Sequence, residues 1–154
     1  MLLNLKLRLV TPMLGTRKVP KNPARQLERV ANNRIAINEA LWLDQMRLAA
    51  KQLGIPFKDE FVMLDEGFDT PSTNIYKRVY KKTNVEYFEA ISKNNVLNID
   101  IILRDDLPGC CSVIELKNIL ELVGKFFGLS PWGSKFGYGK FKVEELKPLK
   151  TNDN

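Results

Sequence analysis

Two stretches carry residue types and spacings that can do chemistry. In IYKRVYKK, residues 75–82, an extended backbone puts Tyr76, Arg78, Tyr80 and Lys82 on one face and Ile75, Lys77, Val79 and Lys81 on the other. Rings alternating with cations can stack bases and neutralise phosphates. The competing reading is a sheet edge that carries tyrosine for its β-propensity and lysine against aggregation. In GLSPWGSKFGYGKF, residues 128–141, Gly133, Gly137 and Gly139 fall among the donors Ser134, Lys135 and Lys140 and the flat faces of Trp132, Phe136 and Tyr138. A simple connection does not need so many glycines, so the loop contains turns of positive φ or brings its amides close to something large. The chemistry this suggests is a phosphate cradle with a stacking platform. The stretch is neither a Walker loop nor a Rossmann fingerprint, because it lacks the G-K-[ST] ending and follows a helix instead of opening one.

Other chemistries are narrowed by composition. The chain has no histidine, which argues against a zinc site and removes the commonest general acid–base. Its two cysteines, Cys110 and Cys111, are adjacent and poorly placed to pair. They read as small buried hydrophobes, or as a thiol whose pKa is lowered by the following helix N-terminus. The acids Asp59, Glu60, Asp65, Glu66, Asp69, Asp105 and Asp106 offer carboxylates for magnesium, but neighbouring loop acids ordinarily face water. The expectation is a non-catalytic protein with no metal and no cofactor. A net charge of +6 favours an anionic partner, and that charge is segregated. The chain is basic through Lys58, acidic over 59–69 and basic again over 75–82. Arg8, Arg17 and Lys18 extend the basic surface. No apolar run approaches the roughly 20 residues of a membrane span, so the expectation is a cytoplasmic protein with no membrane partner.

Elements must place these residues. Leu3, Leu5, Leu7 and Leu9 alternate with Asn4, Lys6 and Arg8, which predicts a half-buried strand. Asn22-Pro23 reads as a helix start, and the stripe Leu27, Ala31, Ile35, Trp42, Met46, Ala49 and Leu53 predicts one long helix to Gly54. Residues 84–92 read as a short helical turn and 96–103 as a strand. A capping box of Ser112 and Glu115 opens a second helix, and a closing strand follows the glycines. This order predicts a single α+β domain over residues 1–150, a ferredoxin-like split βαβ sandwich whose antiparallel sheet has both helices on one face, with a frayed tail at 151–154.

The glycine-rich stretch resembles the C-terminal loop of the RAMP superfamily, the ferredoxin-like RNA-binding subunits and processing proteins of CRISPR systems. Their loop runs G-x-G-x-x-R/K-S-x-G-x-G. Gly133, Lys135, Gly137 and Gly139 match it loosely, and Phe141 stands as the aromatic that opens the last strand. The resemblance implies RNA contact through the loop. Without the histidine of the processing members, it implies a binder and not a nuclease. LVTPMLGT near the start, together with WGSKFGYGKF, also resembles small uncharacterised proteins of tailed bacteriophages and prophages. The expected function is therefore a phage-type protein that binds single-stranded nucleic acid, RNA ahead of DNA, through Tyr76, Arg78, Tyr80, Lys135, Tyr138 and Lys140. The alternative is a phage accessory protein that acts through protein contacts, inhibiting a host nuclease or defence complex or serving in assembly, with Trp132 as an interface anchor.

Overall fold

The computed structural model describes residues 1–69, 71–80, 82–129 and 133–149. Lys81, Trp132, the 151–154 tail and the side chains of Tyr80 and Ser134 lie outside that description. Along the chain run β1 (Leu2–Leu9), β2 (Met13–Leu14), β3 (Ala24–Arg25), β4 (Arg29–Val30), β5 (Arg34–Ala36), α1 (Glu39–Leu53), β6 (Val62–Leu64), β7 (Gly67–Phe68), β8 (Asn74–Tyr80), β9 (Asn84–Ile91), β10 (Val96–Leu103), α2 (Val113–Phe126), the single turn α3 (Gly133–Phe136) and β11 (Phe141–Pro148).

The main sheet has the order β11-β1-β10-β6, antiparallel throughout. Alternation decides its faces. Leu3, Leu5, Leu7 and Leu9 of β1 and Leu97, Ile99, Ile101 and Leu103 of β10 are buried on one side, while Asn4 and Asp100 hydrogen-bond on the other. Trp42, Met46, Ala49 and Ala50 of α1 and Leu116, Ile119, Leu120 and Val123 of α2 complete this core. The capping box of α2 is formed: the Ser112 hydroxyl accepts from the Glu115 amide, and the Glu115 carboxylate accepts from the Ser112 amide.

The ferredoxin-like sandwich expected from the sequence is not what the chain forms. Among the described residues it is mostly β, with eleven strands in three sheets and only two helices longer than a single turn. Seven strands lie outside the main sheet. β2, β3, β8 and β9 make a second sheet, and β4, β5 and β7 a third. The largest error is at residues 23–38, expected to be helix. The Asn22 side chain accepts from the Ala24 amide, so Asn22-Pro23 makes a turn that leads into β3. Asn32 and Asn33 take φ of 63° and 59°, which no helix tolerates. The true cap is Asn38, whose Oδ1 accepts from Leu41 N. Leu27 and Ile35 are buried, but from extended segments, while Ala31 is exposed. Residues 84–91 are likewise strand β9 and not a helical turn.

Candidate nucleic-acid interface

β8 and β9 form a long antiparallel hairpin, paired from Asn74↔Ala90 to Tyr80↔Asn84. Lys82 enters the turn at φ 57°. Register fixes two faces, because residues opposite each other project to the same side. Tyr76 lies opposite Phe88 and Arg78 opposite Glu86 on the first face. Ile75, Lys77 and Val79 lie opposite Glu89, Tyr87 and Val85 on the second.

A small core separate from the main one sits on the first face. Leu14, Phe88 and Ala90 are buried there, and Tyr76 of β8 and Tyr138 of the glycine-rich loop pack against them. The two tyrosine rings meet edge to face, with centroids 5.6 Å apart at 74°. The Tyr138 hydroxyl donates to that of Tyr76 at 3.4 Å, and burial followed by this contact pushes the Tyr138 phenol above its ordinary pKa. Beside the pair, the Arg78 guanidinium lies 4.4 Å from the centroid of Phe136. The Lys135 ammonium lies 5.5 Å from the same ring. The structure thus brings together Tyr76, Arg78, Lys135 and Tyr138 from segments sixty residues apart. Phe136, absent from the expected contact set, is the ring that joins them.

The glycines shape this loop. Gly137 and Gly139 hold φ of 79° and 72°, letting the chain reverse from α3 into β11. The loop is also stitched down. Gly139 N donates to Pro12 O at 2.7 Å and Lys140 N to Thr11 Oγ1 at 2.9 Å, while Gly139 O accepts from Leu129 N at 2.8 Å. Those two amides are committed within the chain, so a phosphate here would be met by side chains and not by an amide cradle at Gly139 and Lys140.

The remaining expected residues lie elsewhere. Arg8 projects from the outer face of the main sheet, paired with Glu144 and donating to Asn94 O. Arg17 forms a backbone bridge with Gln26. Lys18 lines a hollow of about 560 Å³ with Pro20, Pro23, Val85 and Tyr87. Lys140 lines a different one with Lys125, Lys142 and Phe141, between α2 and β11.

Four of the acids form ion pairs. Asp59 pairs with Arg47, Asp65 with Arg34, Asp106 with Arg104 and Asp105 with the terminal amine. No group of three or more Cys, Asp or Glu among the described residues is placed to hold a metal ion. Cys111 is buried, and burial pushes its thiol up to about 11, with Cys110 adding to the rise. Burial raises the Cys110 thiol as well, opposite in direction to the lowering expected at a helix N-terminus. No helix among the described residues is long and apolar enough to cross a membrane. Neither a scan against protein-family models nor a search of curated proteins finds a match for the chain.

Proposed function

We propose that this protein binds single-stranded nucleic acid, RNA ahead of DNA, on the first face of the β8–β9 hairpin where it meets the glycine-rich loop. One observation carries the reading: the Arg78 guanidinium over Phe136, with Lys135 over the same ring and the Tyr76–Tyr138 pair alongside. A guanidinium over a ring places positive charge beside a stacking surface, and Phe136, 38% exposed, keeps part of that surface for a base. Stacking of this kind requires an unpaired base, which favours a single strand over a duplex. The role is binding without catalysis.

The test is fluorescence anisotropy with short labelled oligouridylate and oligothymidylate at about 50 and 200 mM salt. If Arg78 and Lys135 each neutralise one phosphate of a single strand, log K falls with log salt at a slope of about −1.4, or about sevenfold across that range. Phe136→Ala weakens binding at both salts. Lys140→Ala, in the hollow beside α2, leaves it nearly unchanged. Affinity that ignores both salt and Phe136 refutes the proposal.

A further inference from the structure

The hollow between α2 and β11 stands apart from this interface and holds about 500 Å³. Small-molecule sites span about 300–1,000 Å³ and are mostly apolar, with a few polar groups that fix orientation. Phe141 and Val143 pack toward the main core, and Lys140 and Lys142 alternate with them, so the hollow runs along the margin of the sheet. Its apolar wall is Val10, 44% exposed, with Val143 and the bare backbone of Gly124.

Charge separates this hollow from the rest of the strand. Lys125, Lys140 and Lys142 line it, and among the described residues none of the three pairs with a carboxylate. The Lys125 ammonium lies 5.4 Å from the Phe126 ring, a contact that leaves its charge uncompensated. The acid on the wall, Glu121, lies 3.9 Å from Lys117. Farther along β11 every carboxylate is engaged: Glu144 pairs with Arg8, and Glu145 with both Lys6 and Lys147. Three unpaired cations are thus gathered at one apolar hollow.

We infer that this hollow binds a small amphipathic carboxylate, its head among the lysines and its apolar body along Val10 and Val143. Two larger partners fit less well. A single strand of nucleic acid needs an exposed ring to stack a base, and Phe141 is 2% exposed. An added strand needs a free main-chain edge, but α2 lies against the Phe141 carbonyl so closely that a Cβ on Gly124 would collide with it. The inference does not rest on the nucleic-acid reading, because it shares no residue with the Arg78–Phe136 interface.

The probe is octanoate, titrated below its micelle concentration into uniformly ¹⁵N-labelled protein and followed by amide chemical shifts. Acetate supplies the head without the body, and octylammonium the body with the opposite charge. The expected result is saturable shifts at 10, 121–125 and 140–143 with octanoate, and none with the other two at the same concentrations. Replacing the exposed Lys125 and Lys142 together, Lys125→Gln with Lys142→Gln, weakens octanoate about fivefold, as the loss of two exposed ion pairs implies. Three results overturn the inference: no shifts with octanoate, equal affinity for octylammonium or acetate, or an affinity unchanged in the double variant. Tighter binding of oligouridylate at the same amides also overturns it, in favour of nucleic acid. Shifts there that follow protein concentration alone do so in favour of a second copy.

Discussion

Removing Glu89 tests how the hairpin is fixed to the rest of the fold. The side chains of Glu89 and Arg29 are 11% and 26% exposed. The carboxylate accepts from Arg29 Nη1 at 2.9 Å and Nη2 at 2.6 Å, from Leu27 N at 2.9 Å and from Thr73 Oγ1 at 3.2 Å. It therefore ties two segments, the one holding Leu27 and Arg29 and the one holding Thr73, to β9. Glu89→Ala leaves the Leu27 amide and a partly buried guanidinium without their acceptor. Charge-assisted bonds contribute about 1.5–3 kcal/mol each, and a stranded buried donor costs about 1–3. Arg29 can rehydrate in part, so the net cost is about 3 kcal/mol, or about 6–12 °C in Tm for a chain of this size. The bonds from Arg29 outweigh burial and, with the Leu27 amide and Thr73 hydroxyl, hold the Glu89 carboxyl below the usual glutamate range. A depressed folded-state pKa contributes stability that is complete above the unfolded value, near 4.5, and is lost as pH falls through the folded one. The gap between wild type and Glu89→Gln in urea titrations should accordingly be constant from about pH 6 to 8 and narrow below about pH 4.5. A cost for Glu89→Ala under about 1 kcal/mol, or a Glu89→Gln gap that is flat down to pH 3, would refute the reasoning.

Other expectations follow from single contacts. Gly124→Ala puts a methyl against the Phe141 carbonyl and 2.7 Å from its ring, so α2 must lift from β11. Overpacking of about 1–3 kcal/mol offsets the helix-propensity gain of about 1, and a thermal melt at or above the wild-type Tm would contradict this. Ser112→Ala removes the capping box and should cost about 1 kcal/mol by urea denaturation, while an unchanged midpoint would deny the cap its role. Cys111 should resist a small thiol reagent at pH 8 in the native protein and react once it is unfolded; prompt native modification would show that the thiol is neither buried nor shifted. Arg78→Ala should flatten the salt dependence of oligonucleotide binding by about 0.7 in slope, and an unchanged slope would remove Arg78 from the phosphate contacts.

Some elements could be read directly from residue order. The alternating leucines of β1, the β-branched run of β10 and the Ser112–Glu115 box of α2 each satisfy one local rule with no competitor. Residues 23–38 mislead because Leu27, Ala31 and Ile35 have helical spacing, and Leu27 and Ile35 are indeed buried. What sets them in extended chain is the pair of left-handed asparagines and pairing to strands distant in sequence, which periodicity does not report. The site shows the same division. Tyr76, Arg78, Lys135 and Tyr138 stand out by type and spacing, but the ring of Phe136 under Arg78 is a tertiary contact. So is the commitment of the Gly139 and Lys140 amides to Pro12 and Thr11. The exposure of Ile75 and Val79 follows from which face of the hairpin the loop covers, and alternation alone leaves that choice open.

The place of β1 in the main sheet has a consequence for biosynthesis. Both its neighbours, β10 and β11, come more than eighty residues later in the chain, with Arg8 paired to Val96 and to Lys142. At about 5–20 residues per second, the four buried leucines of β1 leave the ribosome several seconds before any partner strand exists. The sheet therefore forms late and almost all at once, and until then its first strand is an apolar edge open to chaperones or to other nascent chains.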